Sequence, residues 1–159
     1  MITLPTQAEA PERGNSLIWI FWVAAPCVAW IAHSFLGLSM VPPDVPAWIW
    51  ALALAPLLEE LAFRPLLQRG LQDRLPAWLG LAPARKSLRA NAGHIANALV
   101  ALAFVAAHAP QQHWNALWWA LPSLAIGEVW RLRQKLWPCV LIHIWFNLCL
   151  AAATMLAIR

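Results

Sequence analysis

Runs of apolar residues at roughly 17–40, 47–63, 95–109, 114–130 and 136–158 constrain this chain more than any other feature. A bilayer core of about 30 Å is crossed by about 20 apolar residues in helix, because every backbone polar group must find its partner inside the segment. Only 11% of the 159 residues are charged, against 62% hydrophobic and a mean hydropathy of +0.60. A soluble domain carries roughly 25% charged residues. The expected fold is therefore an all-α integral membrane protein, a single bundle of about five transmembrane helices over residues 17–159. Residues 1–16 form a polar, Pro-containing tail without the basic start of a secretory signal, so a short, disordered, uncleaved tail is expected.

The breaks between runs carry the topology. Val41-Pro42-Pro43-Asp44-Val45-Pro46 ends the first run, since proline cannot continue a helical hydrogen-bond ladder. From Arg64 to about Asn91 six basic residues (Arg64, Arg69, Arg74, Arg85, Lys86, Arg89) face one acid, Asp73, with Leu66, Leu67, Leu71 and Leu75 at helical spacing. That pattern predicts an amphipathic interfacial helix on an anionic membrane face. Arg131, Arg133 and Lys135 form a second basic loop, whereas Pro110-Gln111-Gln112-His113 is neutral. The positive-inside bias then predicts a cytoplasmic N-terminus, five crossings and a C-terminus on the far side, with short third and fourth spans that tilt or re-enter. The net charge of +4 is explained by this bias, and no nucleic-acid partner is expected. Trp19, Trp48, Trp114, Trp130 and Trp137 lie near run ends, as interfacial anchors do. Cys27, Cys139 and Cys149 fall inside apolar runs without C-x-x-C spacing and read as small buried hydrophobes.

Against this background a few polar residues are conspicuous. The second run ends in Leu57-Leu58-Glu59-Glu60-Leu61-Ala62-Phe63-Arg64. Intramembrane ionisable groups are functional candidates by default, since insertion of an Asp, Lys or Arg at a helix centre costs about 2.5–3.5 kcal/mol. Glu60 and Arg64 stand at i and i+4 and share a face, so they can pair. Glu59 is rotated about 100° from Glu60 and is free to approach another helix. His108 ends the third run, and His143 and Asn147 stand at i and i+4 in the fifth; His33, His94 and His113 lack comparable company. A hydrolytic reading assigns Glu59 to deprotonate water, one histidine to stabilise the oxyanion, and the other with Asn147 to orient water or substrate. No H-E-x-x-H helix or G-x-S-x-G turn is present, and both aspartates, Asp44 and Asp73, lie in loops. A non-catalytic membrane scaffold or immunity protein held together by the same polar groups, and a proton-coupled carrier, are the alternatives.

Glu59-Glu60-Leu61-Ala62-Phe63-Arg64, Phe104 to His108, and His143 to Asn147 occur in the order of the E-E-x-x-x-R, F-x-x-x-H and H-x-x-x-N/D motifs. At these residues the chain resembles the CPBP family, which includes type II CAAX prenyl endopeptidases and bacteriocin-processing or immunity proteins, over about residues 47–150. The resemblance implies a helical membrane bundle acting as a glutamic-type intramembrane endopeptidase. Glu59, His108, His143 and Asn147 would be catalytic, and Glu60 and Arg64 supporting. It implies no obligatory cofactor, although two acids and two histidines are able to bind zinc. The compact chain is similar to bacterial myxosortase and JDVT-CTERM-type processing enzymes. That implies a bacterial inner-membrane location and, as partner, a membrane-anchored protein carrying a C-terminal sorting signal. Cleavage is expected near the cytoplasmic face. Simple threading of the five runs sets His108 near the opposite face from Glu59, so a tilted or displaced third span is needed for the two to meet.

Overall fold

The computed structural model describes residues 9–80 and 86–158, and these are mostly helical with no strand. Four continuous stretches, Gly14–Leu36, Val45–Trp78, Asn91–Arg133 and Leu136–Ala157, are long and apolar enough to cross a membrane. The third is a hairpin. At His113 the backbone takes a left-handed φ of 51°, and the helix tightens to a 3-10 form over His113–Trp119. Its arms then lie antiparallel, with Asn97 Nδ2 donating to the Leu124 carbonyl at 3.0 Å and the His108 and Trp119 rings 6.2 Å apart. Five helical legs result: α1 (Glu9–Leu36), α2 (Val45–Trp78), α3 (Lys86–Gln112), α4 (Ala120–Arg133) and α5 (Leu136–Ala157). The expected all-α membrane fold is the one observed.

Helix α2 opens on a side-chain cap, Asp44 Oδ1 accepting from the Ala47 amide at 2.8 Å, with Pro46 in the first turn where its missing N–H costs nothing. Expected to stop at Phe63, it continues to Trp78 instead. Pro56 follows a π-helical stretch at Trp50–Leu54, and Pro65 lies inside a second one at Ala62–Gln68. The wider π turn relieves the clash between a proline ring and the preceding carbonyl, so the chain bends without breaking. The amphipathic stretch is, over residues 64–78, a continuation of α2, so Asp73, expected in a loop, is helical. Residues 81–85 of that stretch and residues 1–8 of the tail lie outside the described residues. The rest of the tail is not a disordered lead-in, because α1 starts at Glu9. Gly14 there admits the Arg133 side chain, and Arg133 donates to Asn15 Oδ1.

The surface is largely apolar, and the mostly apolar interior also holds a set of buried polar side chains. Phe35 and Val23 are about four-fifths exposed, while Glu60, Arg64, Gln68, Asn97, Ser123 and Thr154 are buried. Helices α1 and α5 run parallel through Ala25, Ala29, Cys149, Leu150 and Ala153, and the Trp22 and Trp145 rings stack at 4.7 Å. Among the expected Trp anchors, Trp19, Trp114 and Trp137 are exposed, but Trp130 is buried against Ile126, Val129 and Ile142 and belongs to the core. Cys139 and Cys149 are buried, whereas Cys27 faces outward because its position on α1 lies away from α5.

Candidate active site

The second and third helices bring the first two site residues together. Along the antiparallel pair, Leu75 and Leu71 of α2 pack with Ala92 and Ala96 of α3. Further along, Phe63 meets Phe104 edge-on with centroids 5.1 Å apart, and Glu59 then faces His108, Oε1 to Nε2 at 3.9 Å. The separation expected from simple threading does not arise. With α2 extended to Trp78, Glu59 sits about 21 Å from one helix end and about 28 Å from the other at 1.5 Å per residue. The two residues meet near the middle of α2 and about one turn from the end of α3.

Helix α5 adds His143, whose Nε2 lies 3.7 Å from Glu59 Oε2, and Asn147, whose Nδ2 donates to the Ala51 carbonyl at 2.9 Å. The two adjacent glutamates have different surroundings. Glu60 is fully buried, its Oε2 accepting from Arg64 Nε at 2.7 Å and its Oε1 meeting His143 Nδ1 at 2.8 Å. Glu59 has no direct hydrogen bond among the described residues and is a little over a quarter exposed. The predicted i, i+4 pair is thus present and carries a third member, His143.

Both imidazoles are held by Nδ1. His108 Nδ1 lies 2.9 Å from the Phe104 carbonyl, which only accepts, so Nδ1 carries the proton. His143 Nδ1 donates to the Glu60 carboxylate in the same way. Each ring therefore turns Nε2 toward Glu59. The stacking of His108 on Phe104, centroids 4.3 Å apart, fixes the plane of that ring.

Below this cluster lies a polar network largely missed by sequence reasoning. Arg64 Nη1 donates to Gln68 Oε1 at 3.1 Å, and Nη2 donates to the Ser123 carbonyl at 3.1 Å and Oγ at 3.2 Å. Gln68 Nε2 reaches the Gly127 carbonyl at 2.9 Å. Gly127 has no room for a side chain, since a Cβ there would lie 2.8 Å from Arg64 Nη1 and 2.7 Å from Asn97 Cγ. Gln68 was detectable as the next i+4 step after Glu60 and Arg64. Ser123 and Asn97 carried no signal beyond being polar in an apolar run.

Glu59, His108, His143 and Asn147 line one side of an open cavity of about 260 Å³. Met40, Trp50, Ala51 and Ala55 form its apolar wall, and Ser39, Gln111 and Gln112 its polar rim. Among the described residues no group of three or more His, Cys, Asp or Glu is spaced to hold a metal ion. The cluster can hold a water. Glu59 is too far from either Nε2 for a direct hydrogen bond, yet one water at about 2.8 Å from each would touch both.

A protein-family model described as type II CAAX prenyl endopeptidase Rce1-like matches residues 41–149, more than half the chain. The chain belongs to this family. The Rce1-like region spans α2 to α5 as far as Cys149 and includes every residue of the cluster. Membership makes the chain one of a family of membrane-embedded peptidases, in agreement with the apolar helices. Comparison with curated proteins and with solved structures finds no match.

Proposed function

We propose that this protein is an intramembrane endopeptidase in which Glu59 activates a water to hydrolyse a peptide bond of a membrane-anchored protein, the scissile segment being a C-terminal sorting signal. The observation that carries the reading is the convergence of both histidine Nε2 atoms on an otherwise unbonded carboxylate. Water held there donates one O–H to Glu59 and the other to a histidine Nε2. As its oxygen attacks the substrate carbonyl carbon, Glu59 takes the proton, and it returns it to the amide nitrogen as the C–N bond breaks. The products are a new carboxylate and a new amine, with no metal required.

The roles expected from sequence need one change. A neutral imidazole whose proton is committed at Nδ1 has none at Nε2 to offer an oxyanion, so a histidine acts on the water only by accepting the O–H that Glu59 does not take, one histidine at a time. Asn147 keeps one amide N–H after bonding Ala51, and that N–H is the candidate oxyanion donor. Glu60 and Arg64 act as positioning residues by fixing His143. A cavity of about 260 Å³ is smaller than a usual small-molecule pocket of about 300–1,000 Å³. Its polar rim of Ser39, Gln111 and Gln112 suits an extended peptide backbone better than a prenyl chain. The test is co-expression with anchored proteins bearing candidate C-terminal signals. Wild type should shorten one of them and Glu59→Gln should leave it intact at equal abundance; equal processing by both would overturn the reading.

A further inference from the structure

The cavity does not lie symmetrically in the bundle. From Glu59 its α2 wall runs back toward Trp50, from His108 its α3 wall runs forward to Gln112, and from His143 its α5 wall runs forward to Leu150. Ser39 and Met40, after the end of α1, complete the mouth. All of these lie on the side of the α1–α2 and α3–α4 turns. In the other direction Arg64, Gln68 and Ser123 are buried and bonded to one another, and they close the bundle beneath Glu60.

The two ends of the bundle differ in charge. Arg69 and Arg74 near the end of α2, Lys86 at the start of α3, and Arg131, Arg133 and Lys135 between α4 and α5 all belong to the closed end. At the open end the described residues include no Lys or Arg and a single carboxylate, Asp44. Basic short loops stay in the cytoplasm, whereas acidic residues contribute little to orientation.

We infer that the active-site cavity opens to the non-cytoplasmic face, and that its substrate is a membrane-anchored polypeptide presenting an extended segment on that face. The substrate half of this inference rests on the endopeptidase reading above, while the orientation half does not. It reverses the expectation of cleavage near the cytoplasmic side. That expectation took Glu59 to lie at the cytoplasmic end of its helix, whereas α2 continues to Trp78 and the space beside Glu59 leads the other way. The chemistry of the mouth suits such a segment. Ser39 and Gln111 are exposed, and their hydroxyl and amide can bond the backbone of a chain that has left its helix and lost its internal hydrogen bonds. A prenylated tail in the cytoplasm would meet the closed, basic end.

Single cysteines test the orientation. In a Cys27→Ser background that keeps the buried Cys139 and Cys149, Ser39→Cys and Gln111→Cys mark the mouth and Arg74→Cys the basic end. A membrane-impermeant maleimide added to intact spheroplasts of a bacterial host should label the two mouth positions and not Arg74→Cys. Inverted vesicles should give the opposite pattern. Labelling of Gln111→Cys from the cytoplasmic side alone would overturn the inference. Two fusion substrates then carry the same candidate segment just outside or just inside a membrane anchor, and only the outer one should be cut. Glu59-dependent cutting of the inner one would sink the orientation and leave the endopeptidase reading standing. The predicted labelling with neither substrate cut would support the orientation and count against the endopeptidase reading, and with it against the substrate half.

Discussion

Replacing Arg64 by methionine should unfold the bundle far more readily, and the structure sets the size of the effect. Arg64 is fully buried and donates to Glu60, Gln68, and both the carbonyl and hydroxyl of Ser123. Its bond to Gln68 lies within α2 and survives in a separated, inserted helix, so it adds little to helix association, whereas Glu60 is fully buried only in the packed bundle. The two bonds to Ser123 cross to α4. Interhelical hydrogen bonds in membranes average about 0.6 and reach about 1.7 kcal/mol, giving about 1–3 kcal/mol for these two. The variant also leaves the Glu60 carboxylate buried without its cation, and breaking a buried pair from one side costs about 3–5 kcal/mol. The stranded carboxylate therefore dominates, and a loss of at least about 3–5 kcal/mol lowers the folding equilibrium constant by at least roughly two to three and a half decades. Reversible denaturant unfolding in mixed micelles, followed by Trp fluorescence, measures this directly. Arg64→Lys should fall between the two, because a point charge cannot serve four acceptor atoms spread across a guanidinium. An Arg64→Met protein within about 1 kcal/mol of wild type would refute the claim that this network closes the bundle.

Other substitutions separate chemistry from scaffold. Glu59→Gln should leave the unfolding midpoint unchanged, since Glu59 has no direct hydrogen bond to lose, while cleavage falls by about 10²–10⁴-fold, the usual contribution of a general base. Equal loss of stability and activity would contradict that role. Gly127→Ala should destabilise by about 1–3 kcal/mol through overpacking against Asn97 and Arg64, as read in the same unfolding assay. Asn147→Ala should lower kcat by about 10²–10³-fold with little change in KM if its free N–H meets the oxyanion. A change in KM alone would assign it to substrate binding.

What could be read from the sequence followed from periodicity and cost. The apolar runs predicted the helical legs, and the i, i+4 spacing of Glu60 and Arg64 and of His143 and Asn147 predicted shared faces that the structure retains. Glu59 stood out because a second acid beside a paired one has no structural reason to be there. The extent of α2 was hidden because Pro65 and a basic stretch ordinarily announce a helix end, and only the π-helical turn around Pro65 lets the helix continue. That one boundary moved Glu59 toward mid-helix, brought His108 opposite to it and turned the cavity toward the charge-poor end. Ser123 and Gly127 were not legible because their part in the site depends on α4 packing against α2, which no local pattern encodes. Trp130 lies near a run end as an anchor would, and only its α4 and α5 neighbours make it core.

The role proposed for Glu59 is to activate water for peptide hydrolysis without a metal. Its most direct test is cleavage of an anchored substrate by purified wild type and Glu59→Gln, both with excess chelator and matched for unfolding midpoint. Wild type should cut at an undiminished rate and the variant should not cut. Cleavage that survives in Glu59→Gln, or that stops in wild type when chelator is added and returns with zinc, would contradict that role.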